Sequence, residues 1–296
     1  MSEPLPTAYP AGAAPQSFGV RLAAAMARFG PLCAGIDPHP GLMHSWGLSY
    51  DVQGLERFAL TCVDAFAGRV AAVKPQSAFF EVFGSTGVAI LERTVAALRE
   101  AGTLVILDVK RGDIGTTMDA YAEAFLGKDA IDPPDAITVS PYLGYGSLRP
   151  AIDLAHATGR GVFVLALTSN PEGPAVQHAR LGGVSVAGHV VAGATADNLA
   201  AAAAGQLGSV GLVVGATVGD AVAELGLDLP GVNGPFLAPG VGAQGGTVAS
   251  LRRVFGAALP WVLASSSREV LQAGPDVASL ERRADAVADE LRSFGR

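Results

Sequence analysis

The densest run of reactive side chains in this sequence is Asp108-Val109-Lys110-Arg111-Gly112-Asp113, which closes the apolar run Thr103 to Leu107 with a lysine set between carboxylates. Side chains alternate faces along a strand, so Asp108 and Lys110 are expected to point the same way. Lysine is scarce: Lys74, Lys110 and Lys128 are the three lysines among 20 basic residues, so arginine is the general-purpose cation. Lys74 and Lys110 both end apolar runs. An ammonium can release a proton in an accessible pH range and a guanidinium cannot, so a lysine kept in such a place points to proton transfer. A structural ion pair accounts for the same residues, and the motif alone leaves both readings open.

A second constellation, Ala238-Pro239-Gly240-Val241-Gly242-Ala243-Gln244-Gly245-Gly246-Thr247, is a glycine-rich turn between an apolar run and a helical pattern. Peptide N–H groups of such a turn and of a helix N-terminus form an anion site, and parallel barrels bind phosphate after strands seven and eight. Arg268 follows the last apolar run, where a guanidinium could grip two phosphate oxygens in a fork. A tight connection is the alternative reading of the glycines. No Gly-x-Gly-x-x-Gly follows the first apolar run, which argues against a dinucleotide cofactor. His39, His44, His156, His178 and His189 lack ligand-like spacing, and Cys33 and Cys62 read as buried thiols, so no metal and no other cofactor is expected. A net charge of −7 argues against a nucleic-acid surface, so an anionic small substrate needs a local positive pocket.

The elements that must position these residues are legible as eight β-prone apolar runs: Leu32–Ile36, Val70–Val73, Leu104–Val109, Ala136–Val139, Val162–Leu167, Val210–Val214, Phe236–Ala238 and Trp261–Ala264. Helical patterning lies between them, as in Val88–Ala101, and a first helix, Phe18 to Phe29, precedes them. Eight β/α units within about 260 residues predict a single (β/α)8 TIM barrel over residues 17–296, preceded by a mobile arm over 1–16. A doubly wound open sheet is the competitor, and Gly35 and Gly211 weaken two of the strands. The widest gap, Leu167 to Val210, reads as an enlarged loop followed by the helix Ala192 to Ala204. Catalytic groups of a barrel come from the carboxyl ends of its strands. Asp37, Lys74, Asp108 with Lys110 and Asp113, Ser140, Ser169, Thr217, Gln244 and Arg268 follow the eight runs in that order. No apolar stretch approaches the roughly 18 residues of a membrane span, and no signal-peptide layout opens the chain, so a cytoplasmic protein without a membrane partner is expected.

Together, Gly35-Ile36-Asp37-Pro38, Val73-Lys74-Pro75-Gln76, Asp108 to Gly115, Pro239 to Gly246 and Ser265-Ser266-Ser267-Arg268 closely resemble orotidine 5′-phosphate decarboxylase, particularly its longer bacterial branch. The resemblance implies decarboxylation of orotidine 5′-phosphate to uridine 5′-phosphate by a charge array of Lys74, Asp108, Lys110 and Asp113. It implies a homodimer in which Asp113, Ile114 and Thr117 reach the neighbouring subunit's site. Asp37 is similar to the family's ribose-binding aspartate and Ser169 to the serine that meets the pyrimidine ring. Gln244, Gly245, Gly246 and Arg268 match the phosphate site. The Asp-x-Lys-x-x-Asp element also resembles sugar-phosphate decarboxylases and aldolases of the same barrel group, which would need a divalent metal. A sensor that binds a phosphorylated ligand without chemistry is the rival from a different class.

Overall fold

A computed structural model describes residues 16–242 and 245–292. Eight parallel strands close into a barrel: β1 Leu32–Ile36, β2 Ala72–Pro75, β3 Leu104–Arg111, β4 Ala136–Val139, β5 Gly161–Leu167, β6 Val210–Val214, β7 Phe236–Pro239 and β8 Val262–Ser266. Each pairs with the next in sequence, and β1 pairs with β8 through Leu32↔Ala264 and Cys33↔Ser265. Helices intervene between successive strands, so the expected (β/α)8 architecture is the one observed and the open sheet is excluded.

Strands buried on both faces need apolar side chains at nearly every position, which is why they read as continuous runs. One set packs outward against the helices, as Leu32, Ile36, Val73, Val164 and Val214 do. The alternate set fills the barrel: Cys33, Ala72, Ile106, Ala136, Phe163, Val213, Leu237 and Leu263. Gly35 and Gly211 are compatible with strands because their neighbours need the space. A Cβ on Gly211 would lie 2.6 Å from the Phe163 ring, and one on Gly35 would lie 2.6 Å from Ser267 Cβ. The N-terminal helix Phe18–Phe29, capped by the Ser17 hydroxyl, inserts Phe18 edge-on against Phe163 at 5.8 Å. Arg21 anchors that helix to the Asp135 carboxylate and the Gly159 carbonyl.

Several boundaries differ from the sequence reading. Pairing of β2 begins at Ala72, opposite Cys33 and Leu104, so Lys74 lies within the strand rather than after it. Strand β3 runs to Arg111 rather than ending at Val109, which likewise brings Lys110 inside. Trp261 belongs to the 3-10 segment Gly256–Trp261, so β8 starts one residue later than expected and reaches Ser266. The helix before β3 spans Gly84–Glu100. After β5, the glycine- and valine-rich stretch contains a short helix, Gly173–Gln177, and a hairpin pairing Arg180–Leu181 with Val184–Ser185. Ser185 then caps a helix, Val186–Ala203, that starts six residues earlier than expected. The arm expected over residues 1–16 falls, but for its last residue, outside the described residues, as does Gln244.

No helix among the described residues is long and apolar enough to cross a membrane.

Candidate active site

Two-residue alternation carries the inward face of each strand from the apolar layer to a polar one at the carboxyl end. Lys74 stands two residues beyond Ala72, Asp108 beyond Ile106, Thr138 beyond Ala136 and Ser265 beyond Leu263. These side chains, with Asp37, His39, Phe79, Lys110, Thr168, Pro239, Gly240, Ser267 and Arg268, line a cavity of about 340 Å³.

Asp108 is its centre. Oδ2 accepts a hydrogen bond from Lys74 Nζ at 3.0 Å, and Oδ1 accepts from Lys110 Nζ at 2.6 Å and from Thr138 Oγ1 at 2.8 Å. Burial alone would raise the Asp108 carboxyl, but the two ammonium groups outweigh it and hold the pKa down to about 2. Burial opposes the charge on Lys74 as well. The Asp37 and Asp108 carboxylates overcome that opposition and raise Lys74 above the ordinary lysine value. Lys74 is therefore a fixed, buried cation. The Lys110 side chain is 46% exposed and faces the open cavity. Beneath them, burial pushes the Cys33 thiol up to about 12, so it stays protonated and takes no nucleophilic part near neutral pH.

The backbone that presents Lys110 is irregular. Leu107 pairs with Ile137 and Arg111 with Val139, so Asp108, Val109 and Lys110 together lie opposite the single residue Thr138. Lys110 takes φ of 45°, in the left-handed region, and its N–H donates to Thr138 Oγ1 at 2.9 Å instead of to a carbonyl. Neither the bulge nor Thr138 was visible to sequence reasoning. The hydroxyl sits in an ordinary apolar run, and alternation from Ala136 is the one signal that could have found it.

Asp37, at the end of β1, has a buried Oδ1 with no hydrogen-bond partner among the described residues. His39 was set aside for lack of metal-ligand spacing. Its Nδ1 accepts from Leu42 N at 3.3 Å, which places the ring proton on Nε2, and Nε2 is likewise buried and unpartnered among the described residues. Arg268 opens the segment after β8 and lines the cavity with no carboxylate in ion-pair range among the described residues. Of the glycine turn, Gly240 lines the cavity. The Gly245 amide donates to Gly242 O at 2.8 Å and the Gly246 amide to Gly240 O at 2.9 Å, so both are engaged in closing the turn. Ser169 is exposed beside Gly215 and does not line the cavity, where its neighbour Thr168 does. Asp113, Ile114 and Thr117 stand outside the cavity of their own chain, Asp113 accepting from the Ile114 amide at 2.8 Å.

The sequence profile of the orotidine 5′-phosphate decarboxylase / HUMPS family matches residues 30–282, a span that contains every one of these side chains. The chain belongs to that family. An orotidine 5′-phosphate decarboxylase of Salinispora arenicola is 61% identical over 280 residues, covering 94% of this chain and 98% of the relative. The enzyme of the same name from Streptomyces coelicolor is 60% identical over 279 residues, covering 94% and 98%. Among solved structures, that of a provisionally assigned orotidine 5′-phosphate decarboxylase from Streptomyces avermitilis superposes with a TM-score of 0.91 at 57% identity, covering 97% of this chain and 99% of that one. The OMP decarboxylase of Leishmania donovani superposes with a TM-score of 0.72 at 32% identity, covering 94% and 98%. Family membership narrows what the Lys74–Asp108–Lys110 chain is for.

Proposed function

We propose that this protein decarboxylates orotidine 5′-phosphate to uridine 5′-phosphate, the last step of de novo pyrimidine nucleotide synthesis, as a cytoplasmic, cofactor-independent homodimer of the carbon–carbon lyase class. The observation that carries the reading is the continuous Nζ–carboxylate–Nζ chain at the barrel mouth, with one ammonium buried and the other facing the cavity. When the bond from ring carbon 6 to the carboxylate breaks, carbon dioxide leaves and the electron pair stays on carbon 6. Lys110 stabilises that developing charge and then transfers a proton from Nζ to carbon 6, regaining one from solvent. Held by Asp108 beforehand, the ammonium need not reorganise during the step.

Asp37 and His39 offer a buried acceptor and a buried donor from one turn, a pair that suits the hydroxyls of a ribose. Arg268 receives the phosphate, Gln244, Gly245 and Gly246 join it once the loop after β7 rearranges and frees the two glycine amides, and Ser169 meets the pyrimidine once the loop after β5 closes. Phosphate binding at this distance from the breaking bond supplies energy for loop closure and ring orientation. Asp113, Ile114 and Thr117 complete the neighbouring subunit's site.

Mixing purified protein with orotidine 5′-phosphate and following the substrate's ultraviolet absorbance tests the reading directly. Turnover that survives exhaustive metal chelation supports it. Inertness toward orotidine 5′-phosphate, or activity lost on chelation and restored by magnesium, shifts the chain to the metal-dependent sugar-phosphate branch.

A further inference from the structure

We propose that Thr138 is a positioning residue that locks the β3 bulge and thereby sets where Lys110 delivers its proton, an inference that rests on the decarboxylase reading. Three residues of β3 face this one residue of β4, so the ordinary ladder cannot satisfy the intervening backbone. The Thr138 hydroxyl takes its place. Its oxygen accepts the Lys110 N–H at 2.9 Å and its single proton goes to Asp108 Oδ1 at 2.8 Å. The direction of both bonds is forced: a peptide N–H can only donate, and an ionised carboxylate can only accept.

One hydroxyl therefore ties the main chain of the proton donor to the side chain that holds its ammonium. Lys110 Nζ closes the ring on the same Oδ1 at 2.6 Å. Left-handed φ at a lysine is unfavourable unless its surroundings over-determine it, and the hydrogen bond to the buried Thr138 side chain is the contact that does so. A β-branched side chain suits the position, because restricted χ1 aims the hydroxyl without further partners. Valine keeps the shape and removes both bonds. It leaves the Lys110 amide without its partner and frees Asp108 to rotate about its contact with Lys74.

The test compares Thr138→Val, Thr138→Ala and Thr138→Ser with the wild type in steady-state decarboxylation of orotidine 5′-phosphate. Val and Ala are expected to lower kcat by about 10- to 100-fold, the cost of misplacing a reacting group by about 1 Å, with KM changed by less than about 3-fold. Ser retains the hydroxyl and is expected to stay within about 5-fold of wild type. Should Val prove unable to fold, Ala against Ser makes the same comparison. A second readout needs no turnover: in protein carrying 13Cε-lysine, three lysines give three resolvable signals. The Lys110 signal is expected to move in Val and Ala and to hold its place in Ser. Undiminished kcat in Val and Ala, equal losses in Val and Ser, or an unmoved Lys110 signal overturns the proposal. A wild-type protein inert toward orotidine 5′-phosphate overturns the decarboxylase reading instead, and the lysine signals then still decide whether Thr138 positions Lys110.

Discussion

On the proposed reading, Lys110 and Arg268 divide the work at the level of single residues, one at the reacting carbon and the other at the phosphate. Lys110→Ala removes a charge and a proton used in the transition state, so turnover should fall by at least about 1000-fold with product affinity largely kept. Arg268→Ala should mainly raise KM, because a group that grips the phosphate serves ground state and transition state alike. Steady-state kinetics with product titration separates the two outcomes, and near-normal turnover by Lys110→Ala refutes its assigned role. The Asp108 carboxyl makes a pH prediction. Its folded value of about 2 lies below its ordinary 3.8, so the stabilisation is complete above about pH 4 and is lost as pH falls toward 2. In urea unfolding, the stability advantage of wild type over Asp108→Asn should shrink by about 2 kcal/mol across that window.

Among the elements, the N-terminal helix and the β3 bulge act at opposite ends of the barrel. Phe18 plugs the amino-terminal end against Phe163, beneath the apolar layer that carries the site. Phe18→Ala should cost about 3 to 5 kcal/mol by leaving a cavity there. Enzyme that remains folded should keep its KM, because the altered layer lies below the side chains that line the pocket. Urea unfolding and kinetics on one preparation check both statements. A loss of substrate affinity in step with stability would show that the helix also shapes the mouth. The enlarged segment after β5 is held by its long helix. Asn198, buried there, bonds the Val210 amide and carbonyl and the Val232 carbonyl, which leaves the preceding hairpin at the surface.

At the scale of the whole molecule, Val82, Ile114, Tyr142 and Leu143 are large apolar side chains exposed in the segments that follow β2, β3 and β4. Such residues near one end of a barrel suit a second copy of the chain, the proposed arrangement in which Asp113 would serve its neighbour. That arrangement predicts complementation. Lys110→Ala and Asp113→Ala homodimers should each be nearly inactive. After mixing and subunit exchange, half the dimers are hybrids with one intact site of two, so activity should recover to about a quarter of wild type. Absence of any recovery, with exchange verified by mass, would show that Asp113 works within its own chain.

Much of this was legible from residue order alone, because a two-residue repeat, a helical repeat and a glycine turn are local properties of the chain. Leu32–Ile36, Ala136–Val139, Val210–Val214 and the helix Phe18–Phe29 have the ends that their patterns predict. Two of the rare lysines, Lys74 and Lys110, pointed to the cavity that they line, since side-chain chemistry is carried by residue type. Tertiary structure decided what depends on a partner distant in sequence. Closure of the barrel shifted β2 so that Lys74 lies inside it, and three residues of β3 came to face Thr138. It also left Asp37 Oδ1 and His39 Nε2 without partners among the described residues beside the cavity. Hydrogen-bond register between strands thirty residues apart is set by how the whole sheet closes, and no local pattern contains it.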